Sequence, residues 1–196
     1  MSCKKLIFSS NFSFDKNIFN TMNDEKRDGT LTTYYQNGNR KSEKSWKDGK
    51  KDGVWKSWNK RGNLLCEKNW KDGKLDGVFR KWLSDGQLEF EKNWKNGKRD
   101  GIEKTYYETG ELEYEKSWKD GKQDGIDKRW DRSGQLHYEL SWKDGKEDGI
   151  ERRWNENGQL EWEQSWKDGK EDGVRKCWDE NGQLFDYEEK YTNGWE

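Results

Sequence analysis

Tryptophans and basic residues recur with a fixed period, and their chemistry stands out in this chain. Six tryptophans, from Trp46 to Trp166, are each 24 residues apart, and a second aromatic series runs from Tyr34 to Trp178 with the same period. Indole rings and cationic side chains bind ligands through stacking, cation–π contacts and ion pairs, whereas acid–base or nucleophilic catalysis needs other groups. The pattern therefore indicates binding rather than catalysis.

Two sets of residues are candidate sites. A basic residue stands two positions before most aromatics of the second series. This basic ladder either packs its stems against tryptophan in cation–π contacts or holds an acidic partner or a phosphorylated headgroup. Its members are Lys56, Arg80, Lys104, Lys128, Arg152 and Lys176. The candidate binding face consists of Trp58, Trp70, Trp82, Trp94, Trp118, Trp130, Trp142, Trp154 and Trp166.

Groups that support catalysis or bind metals are scarce. His137 is the only histidine, and no reactive cysteine or serine constellation accompanies it, so we expect a solvated surface side chain. The cysteines, Cys3, Cys66 and Cys177, have a spacing that fits neither a disulfide framework nor a zinc site, which favours a reducing, cytoplasmic location. We therefore expect no enzyme, no metal and no cofactor.

Composition excludes several classes of protein. The chain has 196 residues, with 39 Lys and Arg against 40 Asp and Glu, so no overall field attracts nucleic acid. Hydrophobic residues make up 28%, too little for one compact core, while 14 tryptophans argue against disorder. No apolar run approaches the roughly 20 residues of a membrane-spanning helix, and the run from Leu6 to Phe8 is too short for a signal peptide.

The glycines divide the chain into units. Three glycine series with the 24-residue period, one of which slips by one residue to end at Gly194, include all 21 glycines, so each series marks one required backbone conformation. The unit that starts at Gly53 contains a strand over 54–58, a turn ending at Gly62, a strand over 63–70 and a turn at Asp72–Gly73. Short strands between regular turns of this kind predict antiparallel hairpins.

The predicted fold is all-β: an elongated antiparallel β-meander of about seven 24-residue hairpin repeats that form a single twisted sheet. Residues 29–196 constitute this array, with a degenerate closing unit after a slip around 185–187. Residues 1–28 hold four of the seven phenylalanines and are either an N-terminal cap or a flexible arm, with Met22 as an alternative start.

Alternation along the strands predicts what each face of the sheet carries. Val54 and Trp58 should share a face with Cys66 and Trp70, where aromatic residues of successive units stack. The opposite face should carry one glutamate per unit in exposed ion pairs, which contribute little individually. The residues assigned to it are Glu43, Glu67, Glu91, Glu115, Glu139 and Glu163, together with Lys81, Arg129 and Arg153.

The unit resembles a known repeat. Its pattern, Gly-Val/Ile-x3-Trp-x3-Gly-x-Leu-x5-Trp-x2-Gly-Lys, resembles the variant MORN repeat of bacterial YwqK-type and large-virus MORN-repeat proteins and is complete between Gly149 and Lys170. The resemblance extends over 29–196, with tryptophan where the family typically has tyrosine. It implies a β-sheet rod, protein–protein scaffolding or membrane-linked assembly, and an antitoxin-like role. It implies no catalytic residues.

Several functions remain open from the sequence. The leading one is a non-catalytic repeat scaffold that binds a protein partner, or another copy of itself, through an aromatic face. The alternatives are a carbohydrate- or cell-wall-binding tryptophan-repeat module and peripheral association with anionic membrane headgroups. Nucleic acid is disfavoured, because the alternating glutamates would repel phosphates.

Overall fold

The structure is a computed structural model that describes residues 28–186. The predicted N-terminal cap and closing unit lie outside the described residues, apart from their innermost positions. Within the described range there is no helix, and 17 strand segments form one antiparallel sheet. The segments are β1 (Gly29–Tyr34), β2 (Arg40–Lys47), β3 (Lys50–Lys51), β4 (Gly53–Trp58), β5 (Leu64–Lys71), β6 (Lys74–Trp82), β7 (Leu88–Lys95), β8 (Lys98–Arg99), β9 (Gly101–Tyr106), β10 (Leu112–Lys119), β11 (Lys122–Trp130), β12 (Leu136–Lys143), β13 (Lys146–Trp154), β14 (Leu160–Lys167), β15 (Lys170–Glu171), β16 (Lys176–Trp178) and β17 (Leu184–Asp186).

Consecutive strands pair along the whole sheet. Three strands are each split into two segments, β3 with β4, β8 with β9 and β15 with β16, so the 17 segments form fourteen strands. At about 4.8 Å per strand the sheet extends about 65 Å. The predicted all-β meander of hairpin repeats is confirmed.

Two kinds of turn alternate along the chain. The Asp72–Gly73 turn has positive φ at both residues, 49° and 81°, which is the type I′ geometry whose twist suits a two-residue hairpin. The other turn begins at Asn59, whose carbonyl accepts a bond from Gly62 N at 3.0 Å, and Gly62 (φ 92°) follows in the left-handed region. This is a type I turn with a glycine bulge, and the Asn59 side chain also accepts bonds from the turn backbone.

Neighbouring units are joined at their type I′ turns. The Asp52 carboxylate accepts a hydrogen bond of 3.3 Å from the backbone N–H of Asp72, the positive-φ residue of the next unit. Asp100 accepts the equivalent bond of 3.1 Å from Asp120. Since the bond recurs from unit to unit, these aspartates hold each turn against the next at the ends of the strands.

The sheet has almost no apolar core. Among the described residues Leu140 is the only buried hydrophobic side chain, at 1% exposure, and the tryptophans are half-buried. The small burial per residue that the composition indicates is therefore confirmed. Stability must come from the same modest packing repeated in every unit.

Candidate binding surface

Cross-strand pairing distinguishes two faces whose composition differs from the prediction. Lys56 is paired with Glu43 on one neighbouring strand and with Glu67 on the other. Paired residues of an antiparallel sheet point to the same side. The glutamates therefore share a face with the basic ladder, and the prediction that placed them opposite the Val54 and Trp58 side chains is wrong. We call this the ladder face.

Charges on the ladder face alternate in sign from strand to strand. Arg152 lies between two carboxylates: its Nη1 is 3.4 Å from Glu139 and its Nε is 2.8 Å from Glu163. The order across twelve strands is Glu43, Lys56, Glu67, Arg80, Glu91, Lys104, Glu115, Lys128, Glu139, Arg152, Glu163 and Lys176. The basic ladder is thus matched by a glutamate ladder and carries no excess positive charge.

The side chains of the basic ladder form these ion pairs instead of the expected cation–π contacts with tryptophan. Lys128 is 3.4 Å from Glu139 and Lys176 is 3.3 Å from Glu163, while the cation–π contacts of the described sheet involve other basic residues, such as Lys51 and Arg153. Burial raises the pKa of Glu163, but hydrogen bonds from Arg152 and Lys176 outweigh it, so the pKa is lowered overall.

The nine candidate tryptophans do not form one face. The five at the end of each second strand lie opposite the ladder face, as Trp70 does through its pairing with Gly53 and Leu75. Those at the end of each first strand lie on the ladder face, where each pairs with a leucine, as Trp58 does with Leu64. The ladder-face set is Trp58, Trp82, Trp130 and Trp154; the opposite set is Trp70, Trp94, Trp118, Trp142 and Trp166.

We call the face opposite the ladder face the variable face, because the residues at its central positions change from unit to unit. Lys81, Arg129 and Arg153 also lie there, paired with aromatic residues rather than with the glutamates of the ladder. Their predicted position on the glutamate face is therefore wrong. Across the middle of the face runs a central row with the order Leu31, Lys44, Trp55, Lys68, Phe79, Lys92, Glu103, Lys116, Asp127, Leu140, Glu151 and Gln164.

The first part of the variable face is basic and aromatic. Trp55 packs between Trp46 and Trp70, with ring centroids 5.1 and 5.4 Å away. The ammonium group of Lys51 lies 4.9 Å from the Trp55 ring and 4.3 Å from the Trp70 ring, and that of Lys44 lies 5.3 Å from Trp55. Together with Lys68, which lies 4.5 Å from the Phe79 ring, these residues form the basic–aromatic patch.

In the part of the chain that the structure describes, no carboxylate compensates these lysines. Within residues 28–186, Lys44, Lys51 and Lys68 form no ion pair, and the acidic residues of the first three units belong to the ladder face or to turns and bulges. A cation held over an aromatic ring is attracted only weakly, by about 0.5–1 kcal/mol when exposed. The patch therefore retains positive charge that a ligand could neutralise.

The second part of the central row contains buried carboxylates. Glu103, 2% exposed, is held by Lys92 at 2.9 Å, by Arg99 at 2.6 Å and by the Tyr114 hydroxyl at 3.3 Å. A buried carboxylate needs such partners to offset the cost of leaving water. The cations of this part are therefore committed to internal carboxylates.

Three buried polar atoms in this part lack a hydrogen-bond partner among residues 28–186: Asp127 Oδ1 and the indole Nε1 atoms of Trp118 and Trp142. Glu151 accepts a hydrogen bond of 2.8 Å from Trp166 Nε1. In the preceding unit the equivalent pair is Asp127 and Trp142, and both Asp127 Oδ1 and Trp142 Nε1 are buried without a hydrogen-bond partner. Glu103 is equivalent to Glu151, yet Trp118 Nε1 has no partner in the described sheet, because Lys92, Arg99 and Tyr114 hold that carboxylate. Asp127 is one methylene shorter than glutamate, and we attribute its missing bond to this shorter reach.

A groove of about 350 Å³ lies between two arginines of the variable face and includes the only histidine. Arg129 and Arg153 lie 4.7 and 5.5 Å from the Tyr138 ring, and exposed His137 lines the groove beside them. Burial, followed by the nearby Glu151 charge, raises the pKa of Tyr138 to about 12. This hydroxyl therefore stays protonated at neutral pH and is a poor general base.

The thiol of Cys66 is also a weak nucleophile. Burial raises its pKa, the effect outweighing the neighbouring Lys68 and Lys81 charges, and the thiolate is the reactive form. Cys66 and Cys177 are free thiols, and Cys3 lies outside the described residues. In the described part of the chain no cluster of three or more histidine, cysteine or acidic residues could hold a metal ion. The same residues include no helix able to span a membrane.

The lysines of the basic–aromatic patch are absent from the residues that the sequence singles out. A signal existed for two of them, Lys44 and Lys68, because lysine recurs with the 24-residue period at 44, 68, 92 and 116 before leucine replaces it at 140. Pairing then shows which of these lysines meet aromatic rings and which meet carboxylates.

The chain was compared with known proteins. A sequence profile of the family described as "MORN repeat variant" matches seven segments, at 27–48, 51–72, 75–96, 99–120, 123–144, 147–168 and 171–193. No curated protein matches the chain. The matched segments span most of the sequence and follow the hairpin units of the sheet. The chain is therefore a repeat protein that belongs to the MORN repeat variant family.

Proposed function

We propose that this chain is a non-catalytic scaffold that binds a protein partner through its variable face. The observation that carries the proposal is the basic–aromatic patch, in which Lys44, Lys51 and Lys68 lie over aromatic rings and have no carboxylate partner among residues 28–186. Aromatic residues are enriched where proteins bind one another, and the lysines beside these rings add a positive charge that a partner can complement.

The ladder face supports the proposal by contrast. Its cations are paired with glutamates, as Arg80 is with Glu67 at 3.5 Å and Glu91 at 2.6 Å, so it presents little net charge to a partner. Its exposed aliphatic side chains, such as Val54 and Ile102, alternate with asparagine or serine across the strands. Single exposed apolar residues of this kind are ordinary on protein surfaces.

Two other ligand classes have less support. Sugars stack on flat, open aromatic rings, but Trp46 and Trp55 are inclined by 56° and pack against each other. The basic ladder, from which the sequence predicts binding of anionic headgroups, offers no free cations within the described sheet, because its lysines and arginines are paired with glutamates. An antitoxin that covers a toxin is one form of a protein-binding scaffold, and the identity of the partner decides whether it applies.

The test compares neighbouring lysines on different surfaces. Lys51 belongs to the patch, whereas Lys50 is exposed in the type I′ turn beside it. The full chain and the variants Lys51→Glu and Lys50→Glu are used to capture proteins from the source cells, with mass spectrometry and melting temperature as readouts. We expect a partner that the wild type and Lys50→Glu retain and that folded Lys51→Glu loses. Equal capture by both variants would contradict the proposal.

A further inference from the structure

We infer that the basic–aromatic patch recognises an acidic segment of the partner, an inference that rests on the proposed function. The patch holds three positive charges, on Lys44, Lys51 and Lys68, and the described residues supply no carboxylate to any of them. All three side chains are half-buried on the sheet rather than extended into solvent. A carboxylate that enters the patch therefore meets cations already positioned against the rings.

The repeat sets the spacing of these charges. Lys44 and Lys68 occupy equivalent positions of successive units, two strands apart across Trp55. Two strand spacings place them on the order of 10 Å apart, which an extended peptide covers in about three residues. An acidic segment with carboxylates three residues apart can thus reach both lysines while it runs across the strands.

The later units contain a model for this contact within the protein itself. At the next equivalent position, Lys92 forms an ion pair of 2.9 Å with Glu103, which fills the site that Trp55 and Phe79 occupy earlier in the central row. Lys116 has Asp127 at 3.7 Å. The sheet therefore satisfies lysines of this row with carboxylates wherever its own sequence provides them.

The ring geometry favours a peptide over a nucleic acid. Base stacking needs an open ring face. Trp55 is inclined by 56° to Trp46 and by 47° to Trp70, and the Lys51 ammonium lies over both Trp55 and Trp70. The rings are covered by one another and by lysine, so the patch offers charge rather than stacking surface.

The experiment measures binding of a polyglutamate 12-mer peptide to the full chain by tryptophan fluorescence. The triple variant Lys44→Gln/Lys51→Gln/Lys68→Gln is compared with Lys47→Gln/Lys50→Gln/Lys71→Gln, which removes the same charge from exposed lysines that flank the type I′ turns of the same units. Circular dichroism establishes that both variants are folded. We expect the patch variant to bind at least about tenfold more weakly and the turn variant to stay within about twofold of the wild type.

Several results would overturn the inference. Equal weakening by both variants would mean that net charge alone attracts the peptide, and so would overturn it, as would the absence of binding by the wild type. Tighter patch-dependent binding of a single-stranded oligothymidylate, or of vesicles containing phosphatidylserine, would assign the patch to a nucleic acid or a membrane instead. Equal binding of the peptide to the wild type and the patch variant would remove this inference alone, whereas the proposed function fails if Lys51→Glu and Lys50→Glu capture the same proteins equally.

Discussion

The two faces of the sheet are made by the same strands, yet they repeat differently. On the ladder face the central position of every second strand is glutamate, and its counterpart is lysine or arginine in six successive units. On the variable face the equivalent central position is Trp55, Phe79, Glu103, Asp127 and Glu151 in turn. The constant charge pattern of the ladder face favours a single strand register, which every unit requires. A pattern that changes gives each unit its own surface.

The variable face itself divides at Glu103. Before it, lysines lie over aromatic rings, and no carboxylate of the described residues pairs with the patch. From Glu103 onward, buried carboxylates bind the neighbouring cations, as with Lys92 and Arg99. The contrast separates units whose charge is satisfied internally from units whose charge is available to a partner.

The largest expected effect comes from a glycine on which both faces depend. Gly125 has a φ of 111°, and a Cβ there would lie 2.7 Å from Ser117 Cβ. We expect Gly125→Ala to lower the free energy of unfolding by about 3 kcal/mol through backbone strain and the clash. Gly134 also has positive φ but nothing within 4 Å, so Gly134→Ala should cost only about 1 kcal/mol in urea denaturation.

A second substitution separates the clash from the strain at Gly125. Adding Ser117→Gly to Gly125→Ala removes the Cβ that the new methyl group would meet, so part of the lost stability should return. If the double variant is no more stable than Gly125→Ala, the close approach does not explain the role of this glycine.

The next effect tests the ladder face. Arg152→Glu places three carboxylates side by side with Glu139 and Glu163, and we expect a loss of about 1–2 kcal/mol that diminishes as salt increases. Lys60→Glu changes the net charge equally in an exposed turn and should have almost no effect. Equal losses in urea denaturation would show that net charge, rather than alternation across the strands, matters.

A third substitution should stabilise the variable face. Asp127→Glu gives the carboxylate the reach that Glu151 uses toward Trp166, so it can accept the buried Trp142 N–H. We expect a gain of about 1 kcal/mol in the free energy of unfolding and a shifted Trp142 indole N–H resonance. Asp127→Asn is the control, and it should destabilise because Lys116 and Arg129 lose a charged partner. A destabilised Asp127→Glu variant with an unmoved Trp142 resonance would refute the explanation by side-chain length.

The smallest expected effect is on the pH dependence of stability, through two glutamates whose pKa values are shifted in opposite directions. The lowered pKa of Glu163 contributes stability above the unfolded pKa of about 4.3, and this is lost as pH falls through the folded pKa. Burial, and then the Glu151 charge, raises the pKa of Glu147, so its ionised form destabilises the fold at neutral pH and this cost disappears below about pH 4.

Thermal unfolding of two isosteric variants checks these signs. At pH 7, Glu163→Gln should melt below the wild type and Glu147→Gln above it, and both differences should become small in acid. Shifts of the same sign at pH 7 would contradict the assignment of one carboxylate to the ladder and the other to a desolvated site.

Strands and turns could be predicted from the sequence because their causes are local. A type I′ turn needs positive φ at two successive residues, and Asp72–Gly73 shows this requirement directly. The composition of the two faces could not be predicted by counting positions along the chain. Alternation shows which residues of one strand share a face, but it does not show which residues of the neighbouring strand lie on that face. Ser57 pairs with Cys66 but Trp58 pairs with Leu64, so an extra residue in the second strand changes the relation between the faces.

The binding surface was predictable only in part. The tryptophan series pointed to the right residue types, but pairing assigns Trp58 and Trp70 to opposite faces. The patch lysines depend on which neighbour lies across the sheet, since Lys68 meets Phe79 whereas Lys116 meets Asp127. The difference depends on strand pairing, because each of these lysines lies opposite the residue 11 positions farther along the chain.

The most direct test of the two-face arrangement is a nuclear Overhauser experiment on isotopically labelled protein, aimed at adjacent residues of β4. The arrangement predicts cross-peaks between the rings of Trp55 and Trp70 and between the side chains of Lys56 and Glu67. Cross-peaks from the Trp55 ring to the Glu67 side chain, with none to Trp70, would place the glutamates on the tryptophan side of the sheet and contradict the account.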